Sequence, residues 1–124
     1  ITVSGDWGSG TGIVRGLRLG SGTVSATGAL TYIDLGAAAA GACKAWLFVT
    51  GITGTATNAT FTVQCDDNTG FSSPTTKGTF TLSAGGTYVL TFTGVERYAR
   101  LNCTSKGGAT NFDLTALIAV TGIT

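Results

Sequence analysis

The sequence predicts an all-β fold, an antiparallel β-sandwich of jelly-roll type with eight or nine short strands, on three observations. Thr occupies 24 and Gly 20 of the 124 positions; both are poor helix formers, and Thr favours strands. Short apolar segments recur along the chain with Gly, Asn, Asp or Ser between them, the rhythm of a sandwich or barrel. Within several segments the apolar residues alternate with threonines, which gives each strand one core face and one wet face.

The length fits one domain. Residues 1–12 are rich in Gly and Ser around Trp7 and read as an N-terminal arm, leaving 13–124 as a single sandwich domain. Strands are expected near 13–19, 22–27, 29–35, 44–52, 58–65, 78–83, 86–93, 97–104 and 111–121. Alternation is clearest where Phe61, Val63 and Cys65 oppose Thr60, Thr62 and Gln64, and where Tyr88, Leu90 and Phe92 oppose Thr87, Val89 and Thr91. The run AAAAGA at 37–42 is long enough for one helical turn between Gly36 and Gly41. The glycine pairs 85–86 and 107–108 sit where hairpin turns are expected. There is no internal repeat.

Two strands depart from simple alternation. In 44–50, Ala45, Leu47 and Val49 point one way, and Trp46 and Phe48 the other. In 112–120, Leu117 and Ala119 stand behind Phe112, Leu114, Ala116, Ile118 and Val120. A strand apolar on both faces is covered on both. The cover is either a long loop over a central strand or a subunit interface.

Composition narrows the function classes. Only 10% of residues are charged and the net charge is +1, so there is no basic stripe for nucleic acid or an anionic membrane. No apolar run reaches the roughly 18 residues of a transmembrane helix. Mean hydropathy is +0.35, high for a lone monomer, which points to a surface of Thr, Ser and Gly that is partly buried against other subunits. No signal peptide is legible in ITVSGDWGSG, which lacks a basic and an apolar region.

With no His, neither a Ser-His-Asp nor a Cys-His nucleophile can be built, and no catalytic residue or cofactor is expected. Cys43, Cys65 and Cys103 are odd in number and lack zinc spacing, so buried free thiols are expected, with one bridge plus a free thiol as the alternative. The loop CDDNTGFSSPTTKG offers oxygen donors from Asp66, Asp67, Asn68 and Thr69, yet turn chemistry accounts for them and no metal is expected. Asn58-Ala-Thr60 and Asn102-Cys-Thr104 match the glycosylation pattern, as a Thr-rich chain does by chance. A lectin-like role needs an exposed aromatic platform; Trp7, Trp46, Tyr32, Tyr88 and Tyr98 are available but unclustered in sequence.

The succession YIDLG at 32–36, ATFTVQCDDNTGFSSPTT at 59–76, ERYARLNCT at 96–104 and a last apolar strand resembles the cement or decoration proteins of tailed-phage capsids. The resemblance spans roughly residues 30–121. It implies a jelly-roll protein without enzymatic activity that sits on the outer surface of the virion, after assembly in the host cytoplasm. Its partners would be the major capsid protein, bridged between neighbouring copies, and further copies of itself as a dimer or trimer; nucleic acid and membrane are not among them. An extracellular or cell-surface sandwich module, carbohydrate-binding, fimbrial or S-layer-like, is the alternative. The candidate partner contacts are Trp7, Trp46, Phe48, Tyr98 and Arg100. Arg100 is expected to offer a forked donor to a capsid carboxylate, or else to pair within the chain with Asp34 or Asp113.

Overall fold

The computed structural model describes residues 13–123, with side chains described over 16–120. The arm at 1–12 and its Trp7 lie outside the described residues. Among the described residues nine strands follow in order: β1 (Ile13–Val24), β2 (Gly28–Ala29), β3 (Ile33–Asp34), β4 (Ala39–Thr53), β5 (Ala59–Asp66), β6 (Thr75–Leu82), β7 (Gly86–Val95), β8 (Tyr98–Ser105) and β9 (Asn111–Ile123). Among the described residues there is no helix.

The strands form two antiparallel sheets. The first has the order β1-β9-β4-β7; the second runs β2-β8-β5-β6, with β3 also pairing β8. If β2 and β3 count as one interrupted strand, the described residues form eight strands in two sheets of four, on the jelly-roll path. The predicted fold class is therefore the observed one.

The core lies between the sheets. The first contributes Cys43, Ala45, Leu47, Val49, Phe112, Leu114, Ala116, Ile118 and Val120; the second contributes Phe61, Val63, Cys65, Phe80, Ala99, Leu101 and Cys103. Phe61 and Phe112 are fully buried and meet edge-to-face across the interface, with ring centroids 5.2 Å apart. All three thiols are buried and none is in a disulfide, as the cysteine count suggested. Burial raises the Cys65 and Cys103 thiols above their ordinary value.

Four local expectations need correction. The run at 37–42 makes no helical turn: β4 begins at Ala39, which pairs Val95, while Ala42 pairs Thr93 across a bulge. Sheet pairing with β7 outweighs the helical preference of alanine there. The segments 13–19 and 22–27 are replaced by one strand, Ile13–Val24, which pairs with β9 and is bulged between Arg18 and Gly20, while 25–27 lie outside it. The segment 29–35 is reduced to two short bridges on β8, Gly28–Ala29 and Ile33–Asp34. The glycine pairs close no hairpins, because β6 and β7, and likewise β8 and β9, belong to different sheets. Gly107 (φ 62) and Gly108 (φ 97) do take the left-handed turn geometry, but in a crossing between the two sheets.

Candidate binding faces

The structure divides the sequence-predicted contacts between opposite sides of the sandwich. Trp46 and Phe48 stand on the outer face of the first sheet, and Tyr98 and Arg100 on that of the second.

Strands β4 and β9 are the two central strands of the first sheet, which explains their long apolar pattern. Among the described residues, their second apolar face is half-buried to exposed. Arg18 pairs Leu117, Leu117 pairs Trp46, and Trp46 pairs Val89, so these four side chains form one row across all four strands. Val89 is 49% exposed, while Trp46, Phe48, Leu117 and Ala119 are half-buried. The Lys44 ammonium lies 5.8 Å from the Trp46 ring centroid. Beside the indole is an open hollow of about 490 Å³, lined by Ala42, Lys44, Trp46, Thr91, Thr93 and Ala119 among others.

The outer face of the second sheet has different chemistry. Ala99, Leu101 and Cys103 point inward, so Tyr98, Arg100 and Asn102 point outward. Arg100 pairs within the chain, but with neither Asp34 nor Asp113. Its Nε donates to Gln64 Oε1 at 2.9 Å, directly across the β5–β8 ladder, and its guanidinium sits 4.2 Å from the Phe71 centroid. Asp34 is engaged by Arg97 instead, through Nε and Nη2 at 3.0 Å each. That pairing holds the Arg97 guanidinium above its ordinary value. Asp113 accepts from the Thr23 hydroxyl at 2.6 Å.

The loop between β5 and β6 builds the floor of this face. Asp66 is buried, 2% exposed, and its two oxygens accept from the backbone N–H groups of Asn68 (3.2 Å) and Ser73 (3.0 Å). Asn68 in turn accepts from the N–H groups of Gly70 (2.7 Å, side chain) and Phe71 (3.1 Å, backbone). These bonds deliver Phe71, at φ 48 and buried, beneath Arg100 and Tyr32. A bulky residue in the left-handed region persists only where its surroundings hold it, and here its ring is packed. Burial raises the Asp66 carboxyl, but the Ser73 N–H, the Asp67 side chain and the Asn68 N–H outweigh it and hold it below its ordinary value. Asp67 is pushed up, chiefly by its hydrogen bond with Asp66 and by that carboxylate's charge. Asp66, Asp67 and Glu96 place oxygen atoms within 4.8 Å of one another, a hard-cation donor set. Asp66 already spends both oxygens on the loop.

Sequence reasoning found no aromatic platform, yet one is present. Tyr32 meets Tyr98 edge-to-face at 5.5 Å and Phe71 at 5.9 Å, and Arg97 lies 5.2 Å over the Tyr98 ring. These residues come from the β2–β3, β5–β6 and β8 regions, so no local spacing could have marked them. The available signal was the succession of segments at 32–36, 59–76 and 96–104. Tyr32 and Asp34 of YIDLG, Gln64 of TVQ, Phe71 of the FSS stretch, and Arg97, Tyr98 and Arg100 of the RYAR segment converge on this one face.

No protein-family model matches the chain, and no curated protein matches it. Among solved structures the chain is similar to the PBSX exported protein XepA, with 19% identity and a TM-score of 0.59. That match covers 88% of this chain but 37% of XepA, so the chain spans little more than a third of XepA's length. A chitosan-binding module from a chitosanase/glucanase of Paenibacillus sp. IK-5 matches at 16% identity and a TM-score of 0.47, covering 86% of this chain and 94% of that one. A structure of the disulfide-linked pili of Bacillus endospore appendages matches at 12% and 0.41, covering 90% and 85%. The likeness to XepA is one of fold alone, a two-sheet β-sandwich.

Proposed function

We propose that the chain is a non-catalytic capsid cement protein. In this reading it binds the outer surface of a phage head and bridges major capsid proteins, as a dimer or trimer, through the outer face of the first sheet. The observation that carries it is the cross-strand row Arg18–Leu117–Trp46–Val89, with Phe48 beside it. The β6 edge of the second sheet instead coats its outer face with threonine, at Thr79 and Thr81. An indole and two aliphatic side chains in line are the anchor type of a protein interface, where aromatic residues and Arg dominate. Apolar burial contributes roughly 25 cal/mol per Å². Many copies on one shell act together, so a small face suffices. The motif resemblance at residues 30–121 supplies the capsid setting. The absence of histidine from the sequence, and the use of Asp66 to fold its own loop, fit a role without catalysis.

The arm at 1–12 is proposed as a tether to the particle, with Trp7 as its anchor. Deleting residues 1–10 should loosen attachment and leave the melting temperature nearly unchanged; a large loss of stability would refute the tether.

Trp46→Ser tests the main face. Because the side chain is half outside the core, Tm should fall by only a few degrees. Co-sedimentation with the particle should fall by about tenfold or more. Wild-type binding by a folded Trp46→Ser protein would refute the assignment of this face.

A further inference from the structure

The platform on the second sheet is left unused by docking through the first. We propose that the outer face of β8 and β5, at the end where β3 joins, binds a neutral hexose-type oligosaccharide. The site consists of the Tyr32 ring, packed against both Tyr98 and Phe71, with Arg100, Gln64 and Asn102 alongside. It does not depend on the capsid reading, since a head-surface protein and a cell-surface module could each carry it.

Three features select this ligand class. The first is a rigid aromatic surface open to solvent. Tyr32 is 39% exposed, and its ring is fixed by Tyr98 at 5.5 Å and Phe71 at 5.9 Å. A pyranose presents a flat patch of C–H groups that packs on such a ring, and the tyrosine hydroxyls add polar handles.

The second is a set of planar polar groups held in place beforehand. Arg100 is stacked on Phe71 and bonded to Gln64 through Nε alone, so its Nη groups remain donors. Gln64 accepts that bond with Oε1 and keeps its amide nitrogen as a donor. Asn102, two residues on and pointing the same way, adds one donor and one acceptor group. Sugar hydroxyls are both donors and acceptors, and a few positioned polar groups beside an apolar wall are what orients such a ligand.

The third is the charge around the site. Arg97 and Asp34 cancel one another in an ion pair, which leaves Asp66, Asp67 and Glu96 at this end against Arg100 and Lys77. A surplus of acids disfavours phosphate, sulfate and uronate groups. A neutral sugar is left as the ligand that meets both the rings and the donors.

The test is calorimetric titration of the full chain with neutral hexasaccharides of the cello-, malto-, manno-, galacto- and chito- series. Oligoalginate and a heparin hexasaccharide serve as charged probes. At least one neutral series should bind with a dissociation constant below about 1 mM. Tyr32→Ala, at an exposed position, should weaken that binding by about tenfold, Arg100→Lys should weaken it less, and Tyr32→Phe should largely keep it. Trp46→Ser should leave it unchanged, which separates this site from the proposed capsid face. Failure of every neutral series would overturn the proposal. So would preference for the charged probes, or neutral binding that survives Tyr32→Ala.

Discussion

The Phe61–Phe112 pair offers a quantitative test of the sandwich. The two rings come from β5 and β9, one in each sheet, and both are 0% exposed. Their centroids are 5.2 Å apart at an interplanar angle of 90°. Truncating a fully buried Phe to Ala costs about 3–5 kcal/mol, from lost transfer energy and the cavity left behind. A chain of this size has a total stability of roughly 6–19 kcal/mol. Each single variant should therefore melt about 10–20 °C lower. The edge-to-face contact adds about 0.5–1.5 kcal/mol beyond area burial. Once one ring is gone, removing the second loses less, because the contact is already broken and the cavities merge. A double-mutant cycle with Phe61→Leu, Phe112→Leu and the pair, followed by urea denaturation and circular dichroism, should then show a coupling of about 0.5–1.5 kcal/mol. Additivity within about 0.3 kcal/mol would mean that the two sheets do not pack through these rings.

Other expectations follow from single residues. Gly107→Ala should destabilise strongly, since at φ 62 its Cβ would run into the backbone of Thr57, whose N–H bonds the Gly107 carbonyl at 2.9 Å; a melting temperature within a degree or two of wild type would contradict that turn. The Asp66 carboxyl, held below its ordinary 3.8 when folded, contributes stability present above pH 3.8 and lost as pH falls through its lower folded value. Asp67, held above 3.8, contributes the opposite: its share is full below pH 3.8 and is lost as pH rises through its folded value. Asp66→Asn should thus flatten the loss of stability below pH 3.8 in melts taken across acid pH, and an unchanged slope would refute the capping role of Asp66. The buried thiols of Cys43, Cys65 and Cys103 should react with a disulfide reagent only on unfolding, so fast native-state labelling would contradict their burial.

The fold was largely legible because it depends on patterns local to each strand. Phe61-Val63-Cys65 and Ala45-Leu47-Val49 alternate with polar or second-face residues, and each triplet lies in the core. What alternation cannot carry is which sheet a strand joins. The glycine turns at 85–86 and 107–108 were recognisable as turns, but their partners are set by packing of distant strands. Similarly, AAAAGA has helical propensity by composition, and pairing with β7, some fifty residues later, decides otherwise. The contact residues divide in the same way. Trp46 and Phe48 were visible because they break alternation within one strand. The cluster of Tyr32, Phe71 and Tyr98 was not, since β3, the β5–β6 loop and β8 meet only after folding. Arg100 was expected to meet a carboxylate, yet its partner Gln64 is a neutral cross-strand neighbour that charge counting overlooks.

The central claim, that this sandwich is a component of a phage head, is tested most directly by fractionating particles from cells that make the chain. Sucrose-gradient sedimentation followed by quantitative mass spectrometry gives its location and its copy number per particle. The account predicts that the chain travels with DNA-filled heads at a fixed ratio to the major capsid protein. Recovery of the chain only at the top of the gradient, free of heads, would contradict it.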